Sequence, residues 1–327
     1  MLYDIVQYDI MISANNNKED EHLSKTVVRQ SMKRIKKGYQ LYLLLLPSLL
    51  FFLIFCYWPM YGVQIAFKDF TARLGIWDSP WVGMKHFLRF FHTPSFWSLI
   101  FNSLSISTYT LIVGFPAPVI LALILNEIPS KRFSKAVQTI TYAPHFISTI
   151  VMVSMINIML DSNGVINMII TRLGGTAIPF ITDPNLFRDV YVLSGVWQNA
   201  GWGSIIYLSA LAGIDPNLHE AAMIDGASRF QRIWHVNIPG ILPTIVIMFI
   251  LQVGSFMSIG FEKIYLMQNA LNLSTSEVIT TYVYKVGLQQ VQFSFSSAVG
   301  LFNSGINLIL LTAVNVITRR LTESSLW

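Results

Sequence analysis

Six stretches of the chain are apolar over about 20 residues or more and carry no Asp, Glu, Lys or Arg: 39–57, 98–125, 136–160, 190–213, 241–260 and 297–318. A helix that crosses lipid needs this length, because its backbone groups find no water in the hydrocarbon and must pair within the helix. The pattern therefore predicts an all-α membrane protein with six transmembrane helices. Pro47, Pro116, Pro118 and Pro144 fall inside these stretches, where each frees a carbonyl that a neighbouring helix must satisfy. That favours a packed bundle. Between the first two stretches, residues 60–97 are rich in aromatics, with Trp77, Trp81, Phe87, Phe90, Phe91, Phe96 and Trp97, and predict short helices lying along the membrane surface.

The polar segments orient the bundle. With the N-terminus inside, cytoplasmic segments hold fourteen Lys and Arg and outer segments eight, and Lys33, Arg34, Lys36 and Lys37 sit directly before the first span. The excess of positive charge marks the cytoplasmic side, so both termini are expected there. The first 30 residues lack the apolar core of a signal peptide, interrupted as they are by Asp4, Gln7 and Asp9, and read as a disordered cytoplasmic tail. The expected organisation is a tail over 1–37, the first helix and outer aromatic loop over 38–97, a core of spans over 98–320 that includes a cytoplasmic loop at 214–243, and a short tail over 321–327.

Composition supports lipid as the solvent, with 53% hydrophobic and 12% charged residues, where soluble domains are roughly a quarter charged. The formal net charge of +5 does not point to nucleic acid, because the basic residues cluster beside apolar runs and orient helices. Cys56 is the single cysteine, so neither a disulfide framework nor a cysteine metal site can form. No metal or cofactor site is expected in the chain.

The cytoplasmic loop between the fourth and fifth stretches carries two helix starts. Asp215 can cap a helix that begins at Pro216, with Leu218, Ala221, Ala222 and Asp225 spaced along one stripe and Gly226 at its end. Ser228 and Gln231 have capping-box spacing for a second short helix running toward Pro239. Such a helical hairpin, slim at its alanines, suits a groove in another protein. Its carboxylates, Glu220 and Asp225, could pair with basic residues of a partner, but spacing and charge by themselves favour a solvated loop.

The run Glu220-Ala221-Ala222, then Asp225-Gly226-Ala227, Ile238-Pro239 and Leu242-Pro243 resembles the EAA loop of ABC importer permeases. The resemblance extends over nearly all of the chain after Lys37. It takes in the run 60–69, Gly83 to Phe87, Phe96-Trp97 with Asn102, the run 277–284 and the ending 323–327. These are similar to carbohydrate-uptake permeases, most of all the branch associated with complex oligosaccharides and pectin-derived fragments. The long N-terminal tail departs from that pattern.

What the resemblance implies is a type I ABC importer transmembrane domain in a bacterial cell membrane. Glu220, Ala221, Ala222, Asp225, Gly226 and Ala227 would then form coupling helices received by an ATPase. The implied partners are a second homologous permease, giving a heterodimer, two ATPase subunits that bind ATP and Mg, and an extracellular sugar-binding protein.

Sugars are held by aromatic faces and hydroxyl-pairing side chains. The fourth stretch offers Trp197, Asn199 and Trp202, the fifth Gln252, and the sixth Asn303 and Asn307 as candidates for the pathway. The same residue types also glue helices together in lipid. His145, after Pro144, reads as a packing residue. An ion-coupled secondary transporter is the main rival, but such proteins place ionisable groups within their spans, and no Asp, Glu, Lys or Arg is found in these. A membrane enzyme ranks lower, since no Gly-x-Ser-x-Gly or His-Glu-x-x-His motif occurs. Nor does the chain contain a Gly-x4-Gly-Lys-Ser/Thr loop to cradle ATP, so the energy must come from another subunit.

Overall fold

The computed structural model describes residues 39–322, with the side chains of 39–320. The expected tail over 1–37 and nearly all of the tail over 321–327 lie outside the described residues. The chain divides after Val63 into two units. The first contains helix α1 (Tyr39–Phe51), which continues through a π turn over Phe52–Tyr57. No residue of α1 is buried, and it is apolar all round, as a lipid-facing helix should be.

The second unit begins at Gln64 and holds the helices named below. Among the described residues, extended pairing is limited to one isolated bridge between Lys68 and Trp81. Helix α2 (Lys85–Phe91) lies in the outer loop. Helix α3 (Phe96–Tyr109) runs through a π turn at Thr110–Gly114 into α4 (Pro116–Glu127), so that Pro116 opens a helical segment instead of interrupting one. Next come α5 (Lys131–Tyr142), α6 (Thr149–Leu160), α7 (Val165–Arg172) and α8 (Phe187–Ala212). The hairpin follows as α9 (Pro216–Ile224) and α10 (Arg229–Arg232). Helices α11 (Ile238–Gly254), α12 (Phe261–Met267), α13 (Ile279–Tyr284) and α14 (Phe293–Thr322) complete the unit.

Five helical runs are long and apolar enough to cross a membrane: Tyr39–Phe67, Phe96–Glu127, Thr149–Arg172, Arg229–Gly254 and Phe293–Arg320. Three of the expected spans differ from these, each for a physical reason. The stretch 136–160 is not one helix. The missing amide of Pro144 produces a 3-10 turn over Ala143–Phe146, and Ser148 then caps α6 by accepting from the Val151 amide at 3.5 Å. The stretch 190–213 is helical as α8, whose 26 residues extend for about 39 Å. Glycines and amide side chains make it less apolar than the five crossing runs. The stretch 241–260 is shifted toward the hairpin, because α10, a π turn over Ile233–Asn237 and α11 form one continuous run that ends at Gly254.

Core clusters join elements that are distant in sequence. Ile106, Val153, Phe187, Tyr191, Val192, Ile264, Met267 and Val278 form one cluster; Ala122, Leu123, Tyr207, Leu211 and Ile241 form another. Gly201 lets α8 approach α5 closely, since a Cβ there would overlap the carbonyl group of Thr141 on α5. The outer aromatic loop corrects the surface expectation in part. Phe90 is 1% exposed, packed edge-on against Phe96 and Phe302, and Phe87 is also buried. Trp77, Trp81 and Trp97 remain exposed.

Candidate functional site

The hairpin is specified almost entirely by its own residues. Asp215 Oδ1 accepts from the Asn217 amide at 3.0 Å and starts α9 at Pro216, a cap worth about 1 kcal/mol. The helix ends at Gly226 with φ of 77°, a conformation that costs an L-residue roughly 1–2 kcal/mol. There the Ala227 amide donates to Ala222 O at 2.9 Å and the Gly226 amide to Met223 O at 3.1 Å, which is the Schellman closure. Ser228 and Gln231 form the reciprocal capping box, with bonds of 3.4 Å and 2.8 Å. The helix, glycine corner and second helix expected from the sequence are therefore present. The second helix does not stop near Pro239, however, but continues into α11.

This hairpin presents apolar side chains to solvent. Leu218, Met223, Ile224, Phe230 and Trp234 are exposed, Ile224 at 86%, and the Phe230 and Trp234 rings stack at 6.4 Å. Glu220 and Asp225 are exposed, and Glu220 has no ion-pair partner among the described residues. An apolar patch of this kind, rimmed by polar groups, marks a contact surface for a protein or a membrane.

The sequence did not reveal the hairpin's attachment to the bundle. Glu127, the last residue of α4, accepts from Asn237 Nδ2 at 3.4 Å, and its other carboxylate oxygen lies 3.9 Å from Arg232. Gly240 permits close contact at the base, where a Cβ would come within 2.7 Å of Ile214. The hairpin is thus tied both to the end of α4 and to the start of the span that follows it.

The second feature is a cavity of about 370 Å³ between α4, α8 and α11, with the α3–α4 π turn and α12 completing its wall. Its polar lining comprises Thr110, Tyr191, Asn199, Tyr207, Gln252 and Lys263. Gly195, Asn199, Gly203 and Tyr207 recur every four residues on α8 and place one stripe of that helix along it. A smaller hollow of about 130 Å³ shares Thr110, Tyr191 and Gln252 and extends to Ser255 and Ser258.

Of the six pathway candidates, Asn199 and Gln252 line this cavity, whereas Trp197, Trp202, Asn303 and Asn307 do not. Trp202 stacks on His145 with centroids 4.7 Å apart and an angle of 3°, and His145 Nδ1 lies 3.1 Å from Asn199 Oδ1. His145 therefore connects the break between α5 and α6 to α8. Asn307 is structural: its Oδ1 accepts from the Met257 amide and its Nδ2 donates to Ser258, both at 2.8 Å, which pins the bend after α11. Asn303 is buried, and its Oδ1 has no partner.

The sequence reading counted Lys263 as an outer-loop charge. In the structure it is 9% exposed, donates to Tyr191 O at 3.1 Å and lies 5.0 Å over the Tyr191 ring. Burial pushes its ammonium down to about 8, and no carboxylate pairs with it among the described residues. Burying an ion without a counterion costs on the order of several kcal/mol. The signal that was available was position: Lys263 stands only three residues beyond the last expected span residue, Gly260.

Comparisons with known proteins agree with this architecture. The family described as Binding-protein-dependent transport system inner membrane component matches residues 114–323. Protein LplB of Bacillus subtilis (strain 168) is 44% identical over 297 residues, covering 90% of this chain and 93% of its own. The Polygalacturonan/rhamnogalacturonan transport system permease protein YteP of the same organism is 43% identical over 300 residues, covering 91% and 93%. A solved bacterial ABC transporter involved in the import of the acidic polysaccharide alginate superposes with a TM-score of 0.83 at 39% identity, covering 90% of this chain and 99% of the matched one. The same likeness holds to the alginate transporter in complex with an alginate pentasaccharide-bound periplasmic protein. The chain belongs to the binding-protein-dependent transport system inner membrane component family.

Proposed function

We propose that this ABC-importer permease forms half of the path for an oligosaccharide or polysaccharide fragment, and that its cytoplasmic hairpin couples movement along that path to a separate ATPase. The observation that carries the reading is the hairpin itself. It is rigidly capped, apolar at its surface and continuous with α11, a wall of the cavity. A push on Phe230 is transmitted along one helical run to Gln252, a push on Ile224 reaches that run through the Gly226 corner, and Glu127 carries both to the end of α4. Glu220, Ala221, Ala222, Asp225, Gly226 and Ala227 form the part that enters the ATPase.

A second permease supplies the other half of the path, as a different chain, and two ATPase subunits bind ATP and Mg. An extracellular binding protein delivers the sugar. Both termini and the hairpin lie on the cytoplasmic side, consistent with the distribution of Lys and Arg. Counting α8 with the five apolar runs gives the six spans of a type I importer domain. The relatives that transport polygalacturonan, rhamnogalacturonan and alginate support a polymer fragment as cargo.

The test is uptake of labelled pectin or alginate fragments into proteoliposomes holding the chain and its co-purified subunits, with binding protein outside and ATP inside. Uptake is expected only with hydrolysable ATP and binding protein. Accumulation driven instead by an imposed ion gradient without ATP would overturn the reading.

A further inference from the structure

Among the described residues, Lys263 is the one charged side chain lining the cavity. Resting on the permease reading, we propose that its ammonium is the receptor for a sugar carboxylate, so that the cargo carries uronic acid residues. An ammonium has three donors. One of these is used on Tyr191 O at 3.1 Å. Gly195 keeps the neighbouring wall open, since a Cβ there would lie 3.4 Å from Nζ. The remaining donors have room to meet an anion, and a carboxylate that arrives with the cargo offsets the charge that the folded chain leaves unpaired.

The surrounding groups suit the rest of a sugar. Thr110 Oγ1 is buried and has no partner, while Gln252 and Asn199 supply amides that pair with hydroxyls. Phe115, Tyr191 and Tyr207 add aromatic surface for the apolar side of a sugar ring. The smaller hollow beyond Thr110 and Gln252, with Ser255 and Ser258, continues the polar lining toward a neighbouring ring. A neutral sugar would meet the same amides and hydroxyls and would leave Lys263 uncompensated.

The test uses the assembled transporter in nanodiscs without binding protein, titrated with trigalacturonate and with the same trisaccharide after its carboxyls are reduced to alcohols. Wild type is expected to bind the uronate at least about tenfold more tightly, the scale of one charge-assisted hydrogen bond. The preference is expected to vanish in Lys263→Gln and to persist in Lys263→Arg. Equal binding of the two sugars by wild type, binding of neither, or a preference retained in Lys263→Gln would overturn the proposal.

Should Lys263→Gln fail to assemble, wild type still decides. Trigalacturonate should shield Lys263 from amine acylation, read by mass spectrometry, and the reduced sugar should not; equal shielding overturns the assignment. If Lys263 pairs instead with the second permease, Lys263→Gln weakens co-purification while Lys263→Arg and wild type bind both sugars equally, which also counts against it. The permease reading fails by a different sign, sugar uptake that needs no ATP hydrolysis.

Discussion

The hairpin and the cavity are built in opposite ways. Every bond that shapes the hairpin joins residues within five positions of each other: Asp215 to Asn217, Ala222 to Ala227, and Ser228 to Gln231. The cavity draws Thr110, Asn199, Gln252 and Lys263 from four elements spread over more than half of the unit. In the proposed function, the part that docks as a fixed shape is specified locally, and the part that changes shape around a cargo is held by packing and by long-range bonds between helices such as Lys263 to Tyr191. Perturbations should therefore spread differently in the two regions.

The largest effect is expected where α8, one wall of the cavity, packs on α5. Gly201→Leu places a side chain against the backbone of Thr141, so α8 cannot reach α5, and the assembled transporter should be lost from the membrane. Recovery of normal amounts on size-exclusion chromatography would show that the wall is looser than the packing indicates.

A change at the hairpin should stay local. Gly226→Val forces a β-branched residue to a φ of 77°, at a cost of about 1–2 kcal/mol. The complex should still assemble, with transport reduced several-fold. Disassembly as complete as that of Gly201→Leu would erase the contrast between the two regions.

A smaller effect is expected from pH. Lys263 is pushed down to about 8 by burial, so it is charged below that value and neutral above it, and the preference for trigalacturonate should fade as pH rises from 7 to 9. Its neighbours do not mask the titration. Helix α6 brings no titratable side chain, α8 brings Tyr191 while Asp189 bonds to Tyr109, and Tyr284 of α13 packs against Phe261 and Tyr265. An unchanged preference across that range would remove the ammonium from recognition.

The smallest effect lies in the outer loop. The hydrogen bond from Lys85 holds the Asp69 carboxyl below the usual carboxylate range. The depressed value means that this contact stabilises the loop above the ordinary carboxylate pKa of about 4 and is lost as pH falls through the folded value. Because the pair is partly exposed, hydrogen exchange in 68–86 should rise only slightly at acid pH and not at all near pH 7.

The same division explains what could be read from the sequence. Hairpin caps and the glycine corner are short-range chemistry, visible in Asp215, Gly226, Ser228 and Gln231 themselves. Most spans were legible from apolar length, but the third broke where Pro144 and Ser148 compete with helix continuation, and the fifth began early because a π turn absorbs the join at Ile233–Asn237. In the cavity, residue type alone did not separate Asn199, which lines it, from Asn307, which fastens a bend. Lys263 was hidden because a charge beside a span is ordinarily an orienting residue, and only the bend after Gly254 turns it inward.

The central claim is that the hairpin transmits ATP-driven motion to the spans, and the most direct measurement is ATP hydrolysis by the reconstituted transporter with and without loaded binding protein. In Glu220→Ala, which removes an exposed carboxylate with no ion-pair partner among the described residues, the complex should assemble while stimulated hydrolysis and uptake fall together. Wild-type stimulation and uptake in that variant would contradict the role assigned to the hairpin.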